Sequence, residues 1–84
     1  MPHVVMYTTR VCPYCSRAKA LLGAKGIDYE ERAVELTPEG RQFLVDLTGR
    51  YTVPQILIDD TAIGGFDELS ALNRSGELDR MLAV

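Results

Sequence analysis

The stretch Val4-Val5-Met6-Tyr7-Thr8-Thr9-Arg10-Val11-Cys12-Pro13-Tyr14-Cys15 decides how the rest of the chain is read. Val4 to Thr8 is a β-branched and aromatic run without apolar–polar alternation, the pattern of a strand buried on both faces and so central in a sheet. The two cysteines that follow are the only two in the sequence. A Cys-x-x-Cys pair at the exit of a strand and the entry of a helix brings both sulfurs within bonding reach in the first helical turn. The unpaired N–H groups of that turn and its partial positive charge favour a thiolate over a thiol. Pro13 suits the first helical position, where its missing N–H costs nothing. The pair reads as a redox dithiol, with Cys12 as nucleophile and Cys15 as the thiol that resolves its mixed disulfide.

Two other readings compete for the pair. A structural zinc site takes about four ligands, and beyond the cysteines the sequence offers one histidine, His3, and no second Cys-x-x-Cys. A purely structural disulfide would close a loop too short to constrain the unfolded chain much. Redox chemistry is the better fit to a dithiol in a short α/β chain, and no metal is expected.

The whole sequence has 84 residues, which is one domain near the lower end of what folds without staples. An apolar content of 46% supplies one core, and a net charge of −3 gives no nucleic-acid footprint. No apolar run reaches membrane-spanning length, and the N-terminal residues lack the charged-then-apolar order of a signal peptide. A single Cys-x-x-Cys points to a reducing compartment. Cytoplasmic location is the expectation, with no membrane or nucleic-acid partner and a monomeric state.

Outward from the dithiol, a helix is predicted from Pro13 to about Lys25, with Cys15, Ala18, Leu21 and Leu22 on one face and Gly26 as its stop. Ile27 to Val34 carries Asp28, Glu30, Glu31 and Arg32 among apolar residues, which suits an exposed edge strand parallel to the first. Thr37-Pro38-Glu39 opens a second helix by a capping hydroxyl and a proline at its first position. Phe43, Leu44 and Leu47 are its predicted buried face, Gly49 its end, and Gly40 a weak point in its first turn. Gln55 to Ile58 and Thr61 to Ile63 read as strands joined by an Asp59-Asp60 turn, with Gly64-Gly65 breaking the second. Asp67 is placed to cap a last helix, with Leu69 and Leu72 inward, that Ser75-Gly76 interrupts before a final turn bearing Leu78, Met81 and Leu82. The order βαβ-α-ββ-α gives a small four-stranded mixed sheet flanked by helices, over residues 1–84 as a single domain.

That order, with Cys-Pro-Tyr-Cys opening the first helix, Thr52-Val53-Pro54 before the third strand and Gly64-Gly65-Phe66-Asp67 after the fourth, resembles the glutaredoxins of the thioredoxin superfamily. The likeness covers essentially the whole chain and is greatest to the short bacterial dithiol type. Thioredoxins instead carry Gly-Pro between their cysteines and a preceding tryptophan, and this chain has no tryptophan. The resemblance implies a thioredoxin-like fold and a glutathione-dependent thiol–disulfide oxidoreductase acting on glutathionylated and disulfide-containing proteins. It implies no bound cofactor, glutathione being a co-substrate.

The resemblance further implies a cis bond before Pro54, which leaves the Val53 backbone free to pair with a peptide like an added strand. It places the γ-glutamyl end of glutathione at Gly65, Phe66 and Asp67 and makes Thr52, Val53 and Pro54 further glutathione-binding residues. The Tyr14 ring, between the cysteines, either lines the groove or is simply half exposed. The glycine carboxylate of glutathione requires a cation. Where the family usually has a lysine three residues before the first cysteine, this chain has Thr9, so Arg10 and Arg41 are the candidates. Some members hold an iron–sulfur cluster between two subunits, but those more often carry serine or glycine where this chain has Pro13.

Overall fold

Val4–Thr8 forms strand β1, and every one of its side chains is buried, as its unbroken apolar run requires. The structure, a computed structural model, describes residues 3–82. After β1 come helix α1 (Pro13–Ala24), strand β2 (Glu30–Ala33) and helix α2 (Pro38–Thr48). Strands β3 (Gln55–Ile58) and β4 (Thr61–Gly64) follow, then helices α3 (Phe66–Ser75) and α4 (Glu77–Leu82). The sheet order is β2-β1-β3-β4, with β1 parallel to β2 and antiparallel to β3, and β3 antiparallel to β4. The mixed four-stranded sheet flanked by helices is the predicted one, and β1 lies inside it.

Alternate residues of β1 feed two cores. Val4 and Met6 join Ala18 and Leu22 of α1, Ile56 and Ile58 of β3, Leu69 of α3, and Leu78 and Leu82 of α4. Val5 and Tyr7 point the other way, to Leu57 and to Leu44 of α2. Three helices thus cover one face and one helix the other, which accounts for the unequal size of the two clusters.

The polar segment forms an edge strand shorter than predicted: Glu30–Ala33 pairs with β1, while Ile27 to Tyr29 lie outside the ladder. Its four residues are exposed and heavily charged. Arg32 pairs with Glu30, and Lys19 Nζ lies 2.6 Å from Glu31 Oε2, which also accepts from Thr8 Oγ1 at 2.8 Å. Both carboxyl groups are held below the usual carboxylate range, Glu30 by Arg32, and Glu31 by Lys19 and then Thr8. The β3–β4 turn places Asp59 and Asp60 in the left-handed region, as a two-residue hairpin turn demands. Beyond it β4 runs one residue past the prediction, taking in Gly64.

Helix α2 starts as predicted, with Thr37 Oγ1 accepting the Gly40 N–H at 3.1 Å, and ends at Gly49 in the left-handed region. Its buried face differs from the prediction. Leu44 is fully buried, whereas Phe43 and Leu47 remain 47% and 41% exposed. A single helix lying on a narrow sheet buries one ridge, and Phe43 and Leu47, one turn apart on the helix, both fall to the same side of Leu44. Phe43 touches the core only edge-on, against the Tyr7 ring at 5.6 Å. Gly40 also differs from expectation. A Cβ there would stand 1.8 Å from the Glu35 carbonyl oxygen, so the glycine admits the incoming chain rather than loosening the turn.

Candidate active site

Cys12 is the N-cap of α1, in extended conformation, and its Sγ accepts the Cys15 N–H at 3.1 Å. Pro13 occupies the first helical position, and no acidic residue stands in the first turn. An orphan N–H and the positive end of the helix therefore act on Cys12 sulfur with no carboxylate in the helix's first turn opposing them. Cys12 and Cys15 are joined as a disulfide across a Cα separation of 5.1 Å. Cys15 is only 2% exposed and sits on the α1 face that enters the core, while Cys12 lies at the surface side of the pair.

The segment before β3 faces this dithiol. The Val53–Pro54 bond is cis, as the resemblance implied, and Cys12 Sγ lies 3.7 Å from the Val53 carbonyl oxygen. Among the described residues, neither the Val53 N–H nor its carbonyl has a backbone hydrogen-bond partner. Gln55, buried at the start of β3, donates from Nε2 to Thr52 Oγ1 at 3.1 Å and so anchors the residue beside Val53.

Gly65 closes the site from the other side. A Cβ at Gly65 would come within 3.1 Å of the Pro54 carbonyl oxygen, so a side chain would crowd the two segments where they pass. Gly65, not Asp67, is the N-cap of α3: its N–H donates to Glu68 Oε1 at 3.2 Å, and Asp67 is the second residue of the helix. Glu68 pairs as well with Arg50, at the start of the α2–β3 loop. The Gly65 N–H, and after it Arg50, hold the Glu68 carboxyl below the usual carboxylate range.

A cleft of about 160 Å³ opens between these segments, beside the dithiol. Tyr14, Thr52, Val53, Pro54, Gly65, Phe66 and Asp67, all expected from the sequence, line it together. Tyr14 stands over Phe66 with ring centroids 6.4 Å apart, and the Arg17 guanidinium lies 5.2 Å from the Tyr14 centroid. Arg50 and Glu68 complete the lining and were not foreseen. The spacing held a signal for Glu68, an acid three residues after a helix cap. Arg10 and Arg41 are not in this cleft. Arg10 is exposed and lines neither hollow at the site, whereas Arg41 lines a second hollow of about 260 Å³ with Leu36, Tyr51, Thr52 and Val53. The two hollows meet at Thr52-Val53.

The family model described as Glutaredoxin matches residues 4–63, from β1 through the dithiol and the cis-proline segment into β4. The chain belongs to the glutaredoxin family. It is 53% identical over 84 residues to the glutaredoxin of Pseudomonas aeruginosa, covering all of both chains. It is 46% identical over 82 residues to glutaredoxin 3 of Escherichia coli strain K12, covering 98% of this chain and 99% of that protein. Among solved structures, a buckwheat glutaredoxin–glutathione complex superposes with a TM-score of 0.86 at 32% identity, covering 98% of this chain and 77% of the other. The Brucella melitensis glutaredoxin solution structure superposes with a TM-score of 0.81 at 46% identity, covering 95% of this chain and 87% of the other. Glutaredoxins are thiol oxidoreductases, and a redox-active cysteine pair on a thioredoxin fold is what this chain presents. Among the described residues no group of three metal-ligating side chains occurs, and no helix is long and apolar enough to cross a membrane.

Proposed function

We propose that the protein reduces protein–glutathione mixed disulfides and protein disulfides, with Cys12 as nucleophile and Cys15 as resolving thiol. The observation that carries this reading is the asymmetry of the pair: Cys12 Sγ caps a helix and accepts an N–H, while Cys15 is buried behind it. With a mixed disulfide, the Cys12 thiolate attacks the glutathione sulfur, the target protein leaves as a thiol, and Cys12 keeps glutathione in disulfide linkage. A second glutathione thiolate then attacks the glutathione sulfur of that disulfide, the Cys12 thiolate leaves, and oxidised glutathione is released. With a protein disulfide, Cys12 attacks one sulfur and the other leaves as a thiol. The Cys15 thiol, after losing its proton, then attacks Cys12, releasing the reduced target and leaving the Cys12–Cys15 disulfide for glutathione to reduce.

The cleft supplies glutathione with complementary groups. Thr52 and Val53 present free backbone to the cysteinyl part, and the start of α3 at Gly65, Phe66 and Asp67 presents N–H groups and an acid to the γ-glutamyl carboxylate and ammonium. Tyr14 forms a wall. Arg41 is the cation for the glycine carboxylate, since it shares the Thr52-Val53 hollow and Arg10 does not. The protein is proposed to act in the cytoplasm as one domain and a monomer, with no bound cofactor. The test is turnover of a glutathionylated peptide with glutathione, its reductase and NADPH, beside the same assay run with thioredoxin reductase. Glutathione-dependent turnover that disappears in Cys12→Ser supports the reading. Turnover by thioredoxin reductase alone overturns glutathione as the co-substrate.

A further inference from the structure

The hollow beside Tyr51 differs in kind from the cleft beside Phe66. The cleft carries Arg50, Asp67 and Glu68 along with backbone amides at the start of a helix. The hollow carries the side chains of Leu36 and Tyr51, exposed by 48% and 60%, with Arg41 as its one charged group. Both exposed apolar groups flank a surface that begins at Val53, whose N–H and carbonyl have no backbone partner among the described residues. A molecule already held at Val53 therefore meets an apolar wall on one side and a polar one on the other.

The direction of a polypeptide across this surface follows from strand geometry, given the proposed function above. One residue that exchanges both N–H···O bonds with a single partner residue does so in an antiparallel pair. A substrate cysteine paired with Val53 in this way runs against the direction Tyr51 to Pro54. Residues before that cysteine pass Pro54, Gly65 and Phe66, where the γ-glutamyl group of glutathione is placed. Residues after it pass Thr52 and Tyr51 and reach the hollow between Leu36 and Arg41. Glutathione ends there with a glycine, which has no side chain to fill the hollow.

We infer that Leu36 and Tyr51 form a specificity subsite for protein disulfides, one that selects apolar side chains in the two residues following the reacting cysteine. Burying a leucine side chain against these two is worth about a ten-fold preference over serine. The subsite acts only on the step in which Cys12 bonds to the polypeptide sulfur. It has no bearing on attack at glutathione sulfur, where the target protein is the leaving group.

Mixed disulfides of thionitrobenzoate with short peptides, in which Leu-Leu or Ser-Ser follows the single cysteine, test this. The Cys12 thiolate attacks the peptide sulfur, an enzyme–peptide disulfide forms and thionitrobenzoate leaves as a thiolate. In a Cys15→Ser background that adduct persists, and its rate of formation is read by mass. The expected result is adduct formation about ten-fold faster for Leu-Leu than for Ser-Ser. Leu36→Ser and Tyr51→Ser should each lower that ratio, and together bring it close to one. Placing Leu-Leu before the cysteine should give a ratio that the two substitutions leave alone. Equal rates for Leu-Leu and Ser-Ser, or a preference that survives the double substitution, overturns the subsite. The glutathione–thionitrobenzoate disulfide, run in parallel, separates this from the reading on which it rests. A fast glutathione adduct with equal peptide rates defeats the subsite alone, whereas a glutathione adduct no faster than that of N-acetylcysteine defeats the glutathione site.

Discussion

The two sulfurs of the Cys12–Cys15 disulfide are unequal in setting: Cys12 Sγ accepts the Cys15 N–H, while Cys15 is 2% exposed. Iodoacetamide should modify Cys12 of the reduced native protein and spare Cys15, and peptide mass mapping reads the site. Cys15→Ser should retain reduction of glutathione mixed disulfides and lose most reduction of protein disulfides, since only the second reaction needs a resolving thiol on the enzyme. Wild-type rates on a protein disulfide would defeat that division. At the glycine end, Arg41→Ala should raise KM for a glutathionylated peptide a few-fold at low salt with little change in kcat, whereas Arg10→Ala should not. A charge contact remote from the reacting sulfurs holds ground state and transition state alike, and a partly exposed one is worth about 0.2–1 kcal/mol. High salt should erase the Arg41 effect. The sequence named the dithiol, Pro54, Gly65 and Phe66 because each sits inside a motif whose spacing has a mechanical reason. It gave Arg10 and Arg41 equal standing, because separation along the chain does not tell which cation shares a hollow with Thr52 and Val53.

The elements show where local rules hold and where packing overrides them. Thr37 and Gly49 bound α2 where cap chemistry puts them, and Asp59-Asp60 turns the hairpin. Phe43 and Leu47 were legible as apolar residues at helical spacing, but which ridge of α2 touches a narrow sheet depends on Tyr7 and Leu57, remote in sequence. Gly40 shows the same limit. Helix propensity favours Gly40→Ala, yet the added Cβ meets the Glu35 carbonyl at 1.8 Å. Gly40→Ala should therefore destabilise the fold by about 1–3 kcal/mol, as overpacking does, and a rise in melting temperature would refute the account. At the start of α3, Glu68 holds the Gly65 N–H and Arg50 and has a lowered pKa. A carboxyl whose folded pKa lies below its unfolded one adds stability above the unfolded value and loses it as pH falls through the folded value. Glu68→Gln should lower the melting temperature near pH 7 by about 4 °C or less. The gap to wild type should close as pH is lowered through the carboxylate range, and a gap independent of pH would show that the charge contributes nothing.

At the scale of the molecule, the order of strands and helices was readable because each period change falls at a Gly, a Pro or an acidic turn, and β1 announced its central place by having no polar face. The division of the helices, three on one face and one on the other, was not, since it depends on contacts between α1, α3 and α4 that no local pattern reports. The same strand order leaves two rims of unlike character. One is β2, whose Glu30, Glu31 and Arg32 are engaged in ion pairs with each other and with Lys19. The other is β4, where Thr61 and Ala62 are exposed and uncharged. A chain of sheets extending from molecule to molecule has to use both rims of every copy. Here one rim repels a newcomer through charges that must first be stripped of their partners and their water. Edge-to-edge growth therefore cannot pass a pair joined at β4, and sedimentation at rising concentration should show nothing larger than a pair. Replacing Glu30, Glu31 and Arg32 together with valine should remove that terminator, turning a self-limiting protein into one that can polymerise.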